Sequence, residues 1–109
     1  MVGSAFCGPP DWRTVPSVYW LLFYDVVDDY IRRREPFRPD HIRHVNAAHE
    51  EGLLVMGGAY ASPADGAVIV FKTVDRAAIE QWLHDDPYVQ NNLVKHWWIR
   101  EWSVGVGAR

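Results

Sequence analysis

Four short runs rich in aromatic and β-branched residues alternate along this chain with two helical segments. The runs occupy residues 18–26, 53–61, 66–72 and 93–102. One helix is predicted to begin at Pro39, which suits a first helical turn, and to end at Gly52, a common helix terminator. A second helix, over residues 76–85, follows Asp75, whose side chain can cap its first turn. The order βαββαβ predicts a ferredoxin-like α+β fold.

The first strand is apolar on both of its alternating faces. One face carries Trp20, Leu22 and Tyr24, and the other carries Tyr19, Leu21 and Phe23. Because two helices cover only one face of a four-stranded sheet, the opposite face needs another cover. A second copy of the chain is the simplest cover that a small domain can obtain. The pattern therefore predicts a two-fold homodimer in which sheet packs on sheet, giving a dimeric α+β barrel.

The length of 109 residues suits one domain. We predict this domain over residues 18–104, between an N-terminal extension at residues 1–17, rich in Gly, Pro and Ser, and a tail at residues 105–109. Hydrophobic residues make up 49% of the chain and charged residues 23%, which is a composition typical of globular proteins.

Net charge and cysteine content indicate which classes of binding partner and which cellular compartment to expect. The formal net charge of -3 and the lack of an extended basic patch argue against a nucleic-acid partner. No apolar run approaches the length of a membrane span, so no membrane partner is expected. The single cysteine, Cys7, forms no intrachain disulfide. A reducing, cytoplasmic setting is predicted.

The stretch HDDPYV, residues 84–89, places Asp86 directly before a proline. The ring of Pro87 disfavours helical geometry at Asp86, so the second helix should stop by Asp85. Two interpretations are open. Asp85 and Asp86 are ordinary turn residues, since aspartate before proline commonly opens a turn, or Asp86 is a carboxylate held in place for a partner elsewhere in the chain.

His41 lies in the first turn of the first helix, at one edge of a predicted core-facing arc. That arc contains His41, Ile42, Val45, Ala48 and His49. The positive end of the helix dipole favours a neutral imidazole that can act as a base, and the topology brings this end near the loop that carries Asp86. The alternative is a histidine that only packs and makes one hydrogen bond, which we prefer for His49.

The histidines of the first helix also offer an alternative to this acid–base pair, which is a metal site. His41 and His44 lie one turn apart and offer two ligands, but no third ligand stands at a recognisable spacing. No metal and no cofactor are predicted.

The chain resembles the YciI-like (YCII-related) family over roughly residues 18–104. The resemblance rests on Arg33-Arg34-x-Pro36-x-Arg38-x-x-His41, the Gly52 to Gly58 strand, Asp65-Gly66 and Asp86-Pro87-Tyr88-Val89. It implies a dimeric α+β barrel with a histidine and an aspartate as active-site pair, which map to His41 and Asp86. Many relatives have glycine where this chain has Asn92, and asparagine tolerates the left-handed backbone that glycine favours.

Four further residues are predicted to bind substrate: Arg34, Arg38, Tyr24 and Tyr88. The two arginines flank the start of the first helix, where guanidinium groups can hold a carboxylate or another anion. Pairing with Asp28, Asp29 or Glu35 explains them equally well. The two tyrosines either line a pocket with their hydroxyls or simply pack against the aromatic fourth strand.

The function predicted from these features is a small-molecule enzyme that uses His41 and Asp86 for proton transfer. Lyase, isomerase and dehydrohalogenase steps all fit, the substrate is unknown, and aromatic and anionic compounds are the candidates. The alternative is a non-catalytic dimeric module that binds a small ligand or a partner, with the pair as a structural hydrogen bond.

Overall fold

The structure, a computed structural model, describes residues 18–107. The predicted extension at residues 1–17 lies outside the described residues, as do the last two residues of the tail. The strands are β1 (Tyr19–Val26), β2 (Leu54–Ala59), β3 (Gly66–Lys72) and β4 (Val94–Trp102). The helices are α1 (Tyr30–Arg33), α2 (Arg38–Glu50), α3 (Arg76–His84) and α4 (Pro87–Gln90), with a 3-10 turn at Glu35–Phe37.

The strands form one antiparallel sheet in the order β2-β3-β1-β4. The two hairpin partners β2 and β3 are adjacent, while β1 lies in the centre between β3 and β4. This arrangement confirms the predicted ferredoxin-like α+β fold. Among residues 18–107, no helix combines the length and apolar character needed to cross a bilayer.

The core lies between the helices and one face of the sheet. Leu22 and Phe71 on the sheet and Ile79 and Leu83 on α3 have no exposed surface. The opposite sheet face carries large apolar side chains that are exposed to solvent, because Trp98 is 42% and Met56 is 64% exposed. Residues 18–107 by themselves therefore leave one face of the sheet without a cover.

Two short α-helices and a 3-10 turn were not predicted from the sequence. The connector between β1 and α2 contains α1 and the 3-10 turn, and the segment after Asp86 forms α4. Four-residue helices carry too little periodic pattern to be recognised. A proline stands at the start of two of these elements, Pro36 in the 3-10 turn and Pro87 in α4, whereas α1 has no such signal.

The face that α2 presents to the core differs from the predicted arc. Ile42 is 40% exposed and His49 is also exposed. His44 instead packs inward, with its ring stacked on Trp82 at 4.6 Å between centroids. The helix lies on the sheet along positions 41, 44, 45 and 48, so the predicted stripe was rotated by part of a turn. His49 does make the single hydrogen bond expected of it, to the carbonyl of Leu54 at 2.9 Å.

The two boundary residues of the helical segments behave as their residue types predict. Gly52 follows α2 with φ +84°, in the left-handed region that glycine tolerates. Asn92 has φ +62°. Asparagine thus adopts the left-handed backbone that it was expected to tolerate before β4.

Candidate active site

Asp86 occupies the junction between α3 and α4 and is completely buried. Its backbone is extended, with φ −71° and ψ 122°, as the following proline requires. Its carboxylate accepts three hydrogen bonds, from the Tyr24 hydroxyl (2.8 Å), the Tyr88 amide (3.0 Å) and Nδ1 of His41 (2.7 Å). Both earlier interpretations of Asp86 hold, since it caps α4 like a turn residue and also serves a distant side chain.

His41 reaches Asp86 from the first turns of α2. Its side chain is 17% exposed, whereas that of Asp86 has no exposed surface. The ring also stacks on Tyr88, with centroids 3.7 Å apart and planes inclined by 5°. Because Nδ1 donates to the carboxylate, Nε2 is the nitrogen left to accept a proton, and no described residue bonds to it. The imidazole is thus held on one side and open on the other.

A cavity of about 320 Å³ lies beside His41, between α2, the 30–38 connector and the sheet. The residues with polar groups among its lining are Tyr24, Tyr30, Arg34, Arg38, His41, Asn46 and Tyr88. Its remaining walls are apolar or glycine, and include Ile42, Val45, Leu54, Ile69 and Gly57. Five of the six predicted site residues line this cavity, and the sixth, Asp86, lies behind His41 and Tyr88. Apolar walls with a few convergent polar groups are typical of small-molecule sites.

Tyr24 directs its hydroxyl to Asp86 rather than to the cavity. The side chain is 2% exposed, and burial, reinforced by the neighbouring Asp86 carboxylate, raises the pKa of this phenol strongly. It therefore stays protonated and donates to the carboxylate. Its hydroxyl is thus bonded to Asp86, and the residue also lines the cavity.

Tyr88 lies between the His41–Asp86 pair and the two arginines of the cavity. Its amide bonds to Asp86, its ring lies against His41, and its buried hydroxyl has no hydrogen-bond partner among residues 18–107. Burial raises the pKa of this hydroxyl, and Tyr30 adds to the rise, while the nearby guanidinium groups of Arg34 and Arg38 act in the opposite direction. Tyr30, which packs edge-on against Tyr88 at 5.7 Å, was not predicted as a site residue.

The two predicted substrate-binding arginines do not pair with acidic neighbours. Asp29 pairs with Arg32 instead, and within the described chain neither Arg34 nor Arg38 forms an ion pair. The guanidinium of Arg34 lies over the ring of Tyr30, 5.2 Å from its centroid. The pairing expected as the alternative explanation is therefore absent from residues 18–107.

The histidines of α2 serve different parts of the fold. His41 bonds to Asp86, whereas Nε2 of His44 contacts the carbonyl oxygen of Trp82 at 2.8 Å. Over residues 18–107, no group of three or more His, Cys, Asp or Glu side chains is placed to hold a metal ion. The two rings are thus committed to separate partners.

Solved structures of other proteins share this fold at low sequence identity. The 5-chloro-2-hydroxyhydroquinone dehydrochlorinase TftG from Burkholderia phenoliruptrix AC1100, in complex with 2,5-dihydroxybenzoquinone, matches with a TM-score of 0.69 at 12% identity, over 80% of this chain and 95% of that chain. A protein from Bacteriodes thetaiotaomicron VPI-5482, described as an antibiotic biosynthesis monooxygenase, matches with a TM-score of 0.56 at 9% identity. The match covers 85% of this chain and 96% of that chain. Rv0793 from Mycobacterium tuberculosis matches with a TM-score of 0.52 at 12% identity, over 85% and 99%.

The sequence itself gives the family. No protein of curated function is significantly similar to this chain. The model of the YCII-related domain matches residues 18–103, which is most of the chain. The chain therefore belongs to the YCII-related domain family, and the resemblance predicted from its motifs is confirmed.

Proposed function

We propose that this member of the YCII-related domain family is a small-molecule enzyme in which His41 transfers a proton and Asp86 holds the imidazole. The observation that carries the proposal is the contrast in exposure across one hydrogen bond. Asp86 is completely buried, while His41 remains 17% exposed at the wall of the cavity. A pair with only a structural task has no need of an open nitrogen beside a cavity.

The proposed step is a proton abstraction by Nε2 of His41. The bond from Nδ1 to Asp86 fixes the tautomer in which Nε2 is unprotonated, and the carboxylate stabilises the positive charge that forms on the ring. Nε2 takes a proton from carbon, the C–H electron pair forms a double bond, and a leaving group departs with its own bonding pair. In an isomerase the proton returns to another carbon of the same molecule.

Dehydrohalogenation is one form of this step, and lyase and isomerase reactions are the others. The dehydrochlorinase that shares the fold shows that such a scaffold can host a dehydrochlorination. At 12% identity this likeness supports the fold alone, so the choice of reaction for this chain depends on the cavity and its base.

A non-catalytic binding module is the second candidate function. The complete burial of Asp86 among Tyr24, Tyr88 and the core favours a stabilising task for the carboxylate itself. Both tasks are compatible, because a rigid carboxylate is what a positioned base requires. Binding without chemistry would leave unexplained why a histidine with an unbonded Nε2 stands in the cavity wall.

We also propose that the enzyme is a homodimer formed through the open sheet face. Register places Leu21, Phe23, Val68, Val70, Trp98 and Trp102 on this face. Phe23 and Trp98 stack at 5.2 Å, yet Trp98 is still 42% exposed. Packing this face against a second copy would remove a contiguous apolar patch from water.

The proton-transfer proposal is tested by following exchange of carbon-bound hydrogen with deuterium oxide by NMR. Ring ketones with an acidic C–H and chlorinated hydroquinones form the compound panel, with halide release as a second readout. We expect His41→Asn to abolish activity that the wild-type chain shows, and His84→Asn, at an exposed histidine, to leave it unchanged. Exchange or halide release that persists in His41→Asn contradicts the proposal.

A further inference from the structure

We infer that the cavity recognises a planar organic anion whose negative charge lies on oxygen, and that Arg34 and Arg38 form its oxyanion site. This inference rests on the proposed function, because it names the substrate class for the same cavity. Phenolates, ring enolates and aryl carboxylates share the required chemistry. The observations that support it are the pairing of the nearby charges, the fixed position of Arg34 and the composition of the cavity walls.

Two acidic residues close in sequence to Arg34 and Arg38 pair with other arginines. Asp29 pairs with Arg32 three residues later, and Asp40 pairs with Arg43. In the part of the chain that the structure describes, Arg34 and Arg38 have no such partner, although both line the cavity. Unpaired guanidinium groups on the wall of a cavity favour an anionic ligand, because the ligand then provides the negative charge that no neighbouring side chain provides.

The charge of the cavity wall points the same way. No Asp or Glu between residues 18 and 107 lines the cavity. The nearest carboxylate in the hydrogen-bond network is Asp86, which is buried behind His41 and Tyr88 and already accepts three hydrogen bonds. Two guanidinium groups against this one carboxylate leave the site with net positive charge when His41 is neutral, so a monoanion is the matched ligand.

Arg34 is held in place before any ligand arrives. Its Nε is buried without a hydrogen-bond partner among the described residues, and its guanidinium covers the ring of Tyr30. Since a stacked guanidinium loses less freedom on binding than a solvated one, Arg34 is preorganised for a forked contact with an oxyanion.

The shape and polarity of the remaining walls favour a ring. Val45, Leu54 and Ile69 give apolar surface, and Gly57 keeps one wall free of a side chain. A Cβ at Gly57 would lie 3.3 Å from the side chain of Ile69, so the wall cannot easily thicken there. A volume of about 320 Å³ is near the lower end for small-ligand pockets. A compact planar anion meets both the charge and the space.

The test compares matched charged and neutral ligands by isothermal titration calorimetry. Benzoate is paired with benzamide and 4-nitrophenolate with 4-nitroanisole, so that the two arms distinguish carboxylate from phenolate recognition. We expect the wild-type chain to bind at least one anion about 10-fold or more tightly than its neutral counterpart, as charge-assisted hydrogen bonds allow. Arg34→Gln with Arg38→Gln should remove this preference.

Arg33→Gln is the matched control, since Arg33 is exposed, adjacent in sequence and not part of the cavity wall. It should keep the preference for the anion. Arg34→Lys keeps the charge but loses the fork, and should retain only part of the preference, which separates recognition from a folding defect. His41→Asn should also keep the preference, so failure of the base and failure of the oxyanion site give different results.

Three results overturn the inference. These are equal affinity of the wild-type chain for the charged and neutral members of both pairs, absence of saturable binding of either anion at millimolar concentration, and an equal loss of anion affinity in Arg33→Gln. The last result would assign the effect to the general field of the arginine cluster rather than to the two cavity residues.

Discussion

Asp86 and His41 share a hydrogen bond of 2.7 Å, but only His41 touches solvent. The carboxylate is fixed by two further donors, the Tyr24 hydroxyl and the Tyr88 amide, so it cannot rotate away from the imidazole without breaking them. The hydrogen bond through Nδ1 restricts the imidazole of His41 in turn, and Nε2 has no hydrogen-bond partner among the described residues. In the proposed mechanism, this division of exposure lets Asp86 position the imidazole while His41 reacts.

Replacing Asp86 by asparagine should disturb the histidine more than the fold. The single side-chain oxygen of asparagine accepts fewer hydrogen bonds than a carboxylate, and the NH₂ group of asparagine cannot accept a hydrogen bond from a neighbouring donor. We expect Asp86→Asn to lower the free energy of unfolding by about 1 to 3 kcal/mol. The Nδ1–H tautomer of His41 should become less populated, as measured by long-range ¹H–¹⁵N correlation of the ring nitrogens.

Asp85→Asn is the natural control for that experiment, because Asp85 is adjacent but exposed and bonds to Gln81 rather than to His41. It should leave the ring nitrogen shifts of His41 unchanged. Identical His41 tautomer populations in the wild-type chain and Asp86→Asn would show that the hydrogen bond does not govern the imidazole, and the catalytic proposal would be withdrawn.

Removing the Tyr24 hydroxyl should destabilise the protein although no apolar contact is lost. Tyr24→Phe leaves one carboxylate oxygen of buried Asp86 without its donor, which is expected to cost about 1 to 3 kcal/mol of unfolding free energy. Urea denaturation measures this loss. Tyr60→Phe is the matched control, since Tyr60 is 40% exposed, and its hydroxyl has no described partner. Equal stabilities of the two variants would contradict the positioning role of Tyr24.

Alkaline pH should reveal the effect of the buried Tyr24 phenol on the stability of the protein. The pKa of Tyr24 is raised above its ordinary value of 10.0 by burial and by Asp86. Below pH 10 both states keep the proton; above it the unfolded chain loses a proton that the folded chain retains. Each further pH unit should therefore lower the unfolding free energy by about 1.4 kcal/mol from this residue. Urea denaturation at pH values below and above 10 should show that the unfolding free energy falls less steeply with pH in Tyr24→Phe than in the wild-type chain. Equal slopes in the two proteins would contradict the prediction.

Local residue chemistry explains why much of the fold was predictable. Asp75 caps α3 by accepting from the Ala77 amide at 2.9 Å, and the residue before Pro87 is extended, because both effects act over two or three residues. The order of strands and helices also follows from short apolar runs. The meeting of His41 with Asp86 needed the topology and the family resemblance in addition, since 45 positions separate them.

The features that were missed depend on tertiary packing. Tyr24 bonds to Asp86 across 62 positions, and no pattern within either segment marks a buried hydroxyl as the partner of a carboxylate. The rotation of α2 has the same origin. His44 packs inward because Trp82 offers both a stacking ring and a carbonyl acceptor, while Ile42 faces the cavity. Hydrophobicity alone ranks Ile42 above His44 and so gives the wrong face.

The open sheet face should hold two copies of the chain together. Trp98 is 42% exposed and stacks on Phe23 of the central strand β1, so a charge at this position would lie within the proposed interface. We expect light scattering to give twice the 12.6 kDa mass of the chain for the wild-type protein and the monomer mass for Trp98→Arg. Val74→Arg, at a residue that is 73% exposed and outside the sheet, should remain dimeric. A wild-type chain that is monomeric at micromolar concentration would rule out this interface, and a Trp98→Arg variant that stays dimeric would place the contact elsewhere on the molecule.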